Sequence, residues 1–175
     1  MPMVEFRESR AAFSLIGLEG AVATAVMSHF TLQIGSEGPV LNALIGVSQA
    51  RAEMLTKKNQ PVPNAVPIRA LVDTGASCTC IDPVVFAALG LTPTGSVAMF
   101  TPSTGATPHQ ADQYDVSLLI PPAAPTDYPF ILGTLQVTAA SDLNVQGIQA
   151  LIGRDILTGC VLTYNGAMRL FTLAF

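Results

Sequence analysis

From His29 to the C-terminus the chain is interrupted at short intervals by proline, glycine or an Asn-Gly pair. The stretches between are rich in Val, Ile, Leu, Thr and Phe. β-branched and aromatic runs of this length, bounded by turn residues, read as short strands. Long helices need uninterrupted runs, so an all-β architecture with one or two short helices is expected. Half of the 175 residues are hydrophobic and 11% are charged, enough apolar material for a substantial core and too little charge for a disordered chain. The length suits one domain with a possible extension.

The strand reading can be placed along the chain. Phe30 to Ile34 alternates apolar and polar residues, as a half-buried strand does. Pro39 to Val47 is a second apolar run, and Gln49 to Lys58 has the composition of a short helix. Asn59 to Pro67 holds three prolines and reads as a turn or edge segment. Ile68 to Val72 is a buried-type strand. Asp82-Pro83 supplies a helix N-cap and first residue, and Gly90 the stop. Val97 to Phe100 and Tyr114 to Ile120 form the arms of a long hairpin with Pro102 to Pro108 at its tip. Phe130 to Thr138 and Gln149 to Ile152 are further strands, and Gly153 to Leu157 turns into a helix. Two final strands flank Asn165-Gly166, a strong hairpin signal. Residues 1–28 read as an N-terminal extension and 29–175 as the domain.

Several functions are disfavoured. The net charge is -4 and Lys57-Lys58 is the only adjacent basic pair, so no nucleic-acid partner is expected. Residues 11–30 are apolar, but Glu19 interrupts them and Glu5 and Glu8 offset Arg7 and Arg10, which fits neither a signal peptide nor a membrane span. Cys78, Cys80 and Cys160 are too few, and odd in number, for a disulfide framework. A reducing, cytoplasmic location is expected. Cys78 and Cys80 lack the paired Cys/His ligands of a zinc site, so no metal or other cofactor is expected. His29 and His109 are the only histidines, and nothing in their spacing supports a Ser/His/Asp triad.

Asp73 needs an explanation. It directly follows the apolar strand Ala70-Leu71-Val72, where a carboxylate is costly unless hydrogen-bonded or paired. Thr74 offers a hydroxyl, Gly75 permits close backbone approach, and Ala76 is small. Such a loop can meet a second copy of itself, although the residues alone leave a turn-residue reading of Asp73 open. An isolated Asp-Thr-Gly arises by chance in roughly a few per cent of chains this long.

Context strengthens it. Ala70-Leu71-Val72-Asp73-Thr74-Gly75-Ala76-Ser77 resembles the active-site segment of the retropepsin-like aspartic proteases. Ala150-Leu151-Ile152-Gly153-Arg154-Asp155-Ile156-Leu157 resembles their second signature. The resemblance spans roughly residues 30–175. It implies a closed β-barrel protomer that pairs into a twofold dimer, each copy giving one Asp, with a polypeptide substrate. The catalytic set is then Asp73, Thr74 and Gly75. Ala76, Ser77, Thr104, Gly105 and Ile152 would bind substrate, and Gly153, Arg154 and Asp155 form the structural signature. The reaction implied is endopeptidase cleavage near hydrophobic residues, by a water that the two Asp73 carboxylates activate. No other Asp in the chain starts an Asp-(Thr/Ser)-Gly triplet, so a homodimer is required under this reading.

Departures from the viral pattern are visible. The hairpin in the flap position has one tip glycine, Gly105, and two prolines. Ser77 stands where many viral members carry an acidic partner for the helix arginine. Ala76 lacks a hydroxyl for the carboxylate pair, which predicts a less acidic pH optimum than that of pepsin-type enzymes. The alternative function is a non-catalytic peptide-binding module on the same fold.

Overall fold

The computed structural model describes residues 28–100, 107–122 and 128–175. Apart from Ser28, the expected extension lies outside the described residues, as does most of the hairpin tip, including Thr104 and Gly105.

Ten strands and three short α-helices make up the described chain. In order they are β1 (His29–Gln33), β2 (Val40–Val47), α1 (Gln49–Lys57), β3 (Val66–Val72), β4 (Cys80–Ile81), α2 (Pro83–Ala88) and β5 (Gly95–Met99). There follow β6 (His109–Ile120), β7 (Phe130–Ala139), a 3-10 turn (Asn144–Gln146), β8 (Ala150–Ile152), α3 (Arg154–Leu157), β9 (Val161–Asn165) and β10 (Leu170–Ala174). The strand-rich reading holds, and the helix start expected at Asp82-Pro83 is where its cap predicts. Asp82 caps α2, its Oδ1 accepting the Val84 N–H at 3.1 Å, and Gly90 ends the segment at φ +61°.

Six strands close on themselves in the order β2-β3-β8-β4-β7-β6, and β6 pairs back to β2 from Leu44↔Leu119 to Val47↔Val116. Closure removes the open edges that would otherwise recruit other strands. β5 hangs on the outside of β6 as the hairpin arm. β1, β10 and β9 form a separate three-stranded sheet.

Alternation builds the interior. Leu41, Ala43 and Ile45 of β2, Ile68, Ala70 and Val72 of β3, and Ala150 and Ile152 of β8 are all buried. Each fully buried Leu, Ile or Val side chain stabilises the fold by about 1.5–3 kcal/mol relative to exposure. Phe86 of α2 stacks on Tyr114 of β6 with ring centroids 3.8 Å apart, closing one side of the barrel.

Pro67 lies within β3 rather than in the turn before it, opposite Leu44. It is tolerated because β8 pairs with β3 only from Ala70 to Val72, leaving the far side of Pro67 without a strand to hydrogen-bond.

The connection that positions the site is the one around β8. This strand lies between β3, to which it is parallel, and β4, to which it is antiparallel. The chain leaving β3 at Val72 must therefore arch over the end of β8 before it can enter β4 at Cys80. That arch is the segment 73–79, and it carries Asp73.

Candidate active site

Main-chain hydrogen bonds fasten the arch at both ends. The Asp73 N–H donates to the Ile152 carbonyl at 3.0 Å, and the Arg154 N–H donates to the Ala76 carbonyl at 3.0 Å. A tight turn follows Asp73, with the Ala76 N–H reaching the Asp73 carbonyl at 3.2 Å. The Asp73 side chain folds back onto this turn, and its Oδ1 accepts the Gly75 N–H at 2.8 Å. A Cβ on Gly75 would stand 3.1 Å from that oxygen, so glycine leaves room for the carboxylate. Asp73 Oδ2 makes no hydrogen bond among the described residues. The half-buried carboxylate thus has one oxygen held by the loop and one available to a visitor.

Arg154 braces the same loop from α3. Its Nη1 donates to the carbonyls of Thr74 at 2.8 Å and Gly75 at 3.1 Å, which accounts for an arginine without an acidic residue at position 77. Both bonds lie within the protomer, where the guanidinium spans two successive carbonyls and so holds the loop backbone.

Beneath the loop lies a bonded unit centred on Thr79, whose importance the sequence did not disclose. Thr79 is fully buried. Its hydroxyl donates to Asp155 Oδ1 at 2.9 Å and accepts the Gly153 N–H at 3.1 Å. Its own N–H donates to Asp155 Oδ2 at 2.8 Å. The backbones cross closely here: a Cβ on Gly153 would fall 2.4 Å from the Cys78 carbonyl carbon. Gly153 is therefore required for contact, and Asp155 ties α3 to the strand that follows the arch.

A groove of about 520 Å³ opens beside this unit. It is lined by Ser77 and Asp155, by Val97 and Met99 of β5, and by Gln113 of β6 and Gln136 of β7, on neighbouring strands of the same sheet. Thr74 and Gly75 are exposed and Ala76 is half-buried. Of the expected substrate contacts, Ser77 reaches the groove. Ile152 does not: its side chain is fully buried in the barrel core, because it shares a strand face with Ala150. Its part in the site is the main-chain carbonyl that holds Asp73. Cys78 and Cys80 are free thiols, as is Cys160. Burial, together with the neighbouring Cys78, pushes the Cys80 thiol up to about 12. No group of three or more potential metal ligands occurs among the described residues.

The model of a family described as aspartyl protease matches residues 62–156, just over half of the chain and all of the arch, β8 and the start of α3. The chain belongs to the aspartyl protease family. Within it, the fold is that of the retropepsin-like members. A solved retropepsin-like aspartic protease from Rickettsia conorii superposes with a TM-score of 0.54 at 17% identity, over 86% of this chain and 93% of that one. No curated protein matches the sequence. No helix among the described residues is long and apolar enough to cross a membrane.

Proposed function

We propose that this protein is an aspartic endopeptidase whose active form is a homodimer, with Asp73 from each copy at the twofold axis and the domain spanning residues 29–175. The observation that carries the reading is the Asp73 loop itself. It presents a carboxylate with one oxygen fixed and one free, on a backbone held by four hydrogen bonds from β8 and α3. Family membership supports a peptidase, and the single Asp-Thr-Gly supports two chains per site.

The chemistry follows from placing two such loops face to face. Two carboxylates in contact do not both ionise readily, so they hold one proton between them and titrate as a pair, as aspartic proteases in general do. The ionised partner takes a proton from a bound water. The protonated partner donates a hydrogen bond to the peptide carbonyl. The water oxygen bonds to the carbonyl carbon, and collapse of the tetrahedral adduct expels the amine with a proton from the pair. Thr74 braces the two loops across the axis, and Gly75, Ala76 and Ser77 line the extended substrate. The hairpin of β5 and β6 covers the substrate and excludes water. Apolar residues flank the scissile bond, and the enzyme acts in a cytoplasmic setting.

The test is cleavage of a peptide library by the wild-type protein and by Asp73→Asn, with molecular mass measured alongside. Cleavage lost in Asp73→Asn, by a protein that sediments as a dimer, is the expected result. Mixing the two forms in equal amounts under exchange should leave about a quarter of the activity if the chains assort at random and both carboxylates are needed. About three-quarters of the activity would mean that one Asp73 per dimer suffices, and about half that the chains had not exchanged. A dimer that binds peptides without cutting them would replace this reading with a non-catalytic binding module.

A further inference from the structure

The groove beside the Asp73 loop has an uneven chemistry that bears on which peptides it takes. Asp155 is the one charged side chain that lines it, and no lysine, arginine or histidine does so among the described residues. Asp155 is not neutralised by a cation there. The single ion pair among the described residues joins Arg69 to Glu37. Arg154, next in sequence, turns its guanidinium to the Thr74 and Gly75 carbonyls instead. The Asp155 carboxylate has two donors on Oδ1, the Thr79 hydroxyl and the Ile156 N–H, and one on Oδ2, the Thr79 N–H. That leaves acceptor capacity on Oδ2 and the full negative charge.

The walls add to this. Val97 and Met99 are half-buried alternate residues of β5 and give an apolar side. Phe100 continues that wall and is 68% exposed, so its ring face is available to a cation. Beside it on β6 and β7, the Gln113 amide donates to Gln136 Oε1 at 3.2 Å, and these carboxamides provide oxygen acceptors. A long side chain with an apolar stem and a cationic head matches all three surfaces. Its methylenes lie along β5 and its head meets oxygen acceptors and the Asp155 charge. An acidic side chain meets uncompensated like charge, and a short aliphatic one leaves the polar wall without partners.

We propose that this groove is a specificity subsite for lysine or arginine, selecting peptides that carry a basic residue within a few positions of the bond to be cut. The proposal rests on the peptidase reading for the cleavage it directs, but not for the binding preference itself. The experiment uses one cleavable peptide in which each position from the second to the fourth on either side of the scissile bond is changed in turn to Arg, Leu, Gln or Glu. Both kcat/KM on the wild-type protein and Kd on Asp73→Asn, by fluorescence anisotropy, are measured at low and high salt. At one position Arg should exceed Leu and Gln by about fivefold and Glu by more, with the margin shrinking as salt screens the charge. Gln136→Lys should reverse the Arg-to-Glu ranking; read as a ratio, this is insensitive to any general loss of activity. Equal values for Arg, Leu and Gln at every position, or a ranking that Gln136→Lys leaves alone, would overturn the subsite. Basic preference in Kd without any turnover would keep the subsite and overturn the peptidase instead.

Discussion

Thr79 offers the sharpest test of how the loop is supported. Thr79→Val keeps the shape of a fully buried side chain and removes its hydroxyl. Two hydrogen bonds disappear, one donated to Asp155 Oδ1 at 2.9 Å and one accepted from the Gly153 N–H at 3.1 Å. A bond to a charged group contributes about 1.5–3 kcal/mol, but Asp155 is exposed and water can replace the hydroxyl, so roughly 1 kcal/mol is the better figure. The Gly153 N–H is buried against Cys78 and has no such recourse. Leaving it orphaned costs about 1–3 kcal/mol. The sum is about 2–4 kcal/mol, a large part of the 5–15 kcal/mol typical of a domain. Thr79→Ser keeps both bonds and loses one methyl, for about 1 kcal/mol. Urea unfolding of all three proteins at one fixed concentration reads the difference, and the melting temperature of Thr79→Val should fall by roughly 5–15 °C. Thr79→Val within about 0.5 kcal/mol of Thr79→Ser would refute the reasoning, since it would mean that the hydroxyl carries none of the crossing.

Gly153→Ala forces a Cβ to within 2.5 Å of the Cys78 carbonyl oxygen and 2.9 Å of the Thr79 nitrogen, all backbone. Its expected cost is about 3 kcal/mol or more, against roughly 1 kcal/mol for Gly90→Ala, where the space is open and only the positive φ resists; urea unfolding compares them. Cys80 should resist alkylation by iodoacetamide at pH 8, where a thiol titrating at about 12 is only about one part in ten thousand thiolate, while half-buried Cys78 is modified first; peptide mass mapping decides. The fold holds the Cys80 proton more tightly than the unfolded chain, whose thiol titrates near 9, so this contribution to stability is complete below pH 9 and is lost as pH rises towards about 12. If the proposed Asp73 pair forms, Ala76→Ser adds a hydroxyl beside it that favours the ionised form, and should move the pH–rate optimum to more acid values.

Local signals carried most of the strand layout because each depends on neighbours in sequence. Asp82-Pro83 and Gly90 mark their turns through preferences that act within a few residues, whereas the last hairpin turns over 166–169 with the positive φ on Arg169 and the Asn165 side chain accepting the Met168 N–H. The site was legible only as two separate motifs. What joins them is the parallel pairing of Leu71 with Leu151, a contact between residues far apart in the chain that no local pattern encodes. Thr79 was missed for the same reason. Between two cysteines it looks like strand filler, and its partners Gly153 and Asp155 lie more than seventy residues away. Ile152 was a different kind of miss. It shares strand parity with Ala150, so alternation alone places both side chains on one face, and the short apolar run left open which face that was.

The two sides of the Asp73 loop are built for opposite demands. On the barrel side, Arg154 and the main-chain bonds to β8 and α3 hold the loop, and Thr79 ties Gly153 and Asp155 beneath it, so the backbone of residues 73–76 has little freedom. On the outer side, Thr74 and Gly75 are exposed, and Asp73 Oδ2 has no hydrogen-bond partner among the described residues. A lone carboxylate in this setting can accept a proton from water or donate one to a carbonyl, but not both at once. The nearest carboxylate in the same network, Asp155, is already bonded to Thr79 and cannot supply the second role without releasing the crossing. Under the proposed mechanism the acid comes from outside the protomer. In the homodimer proposed above, a second copy of the same loop would supply it, with Asp73 held by the same bonds in both chains.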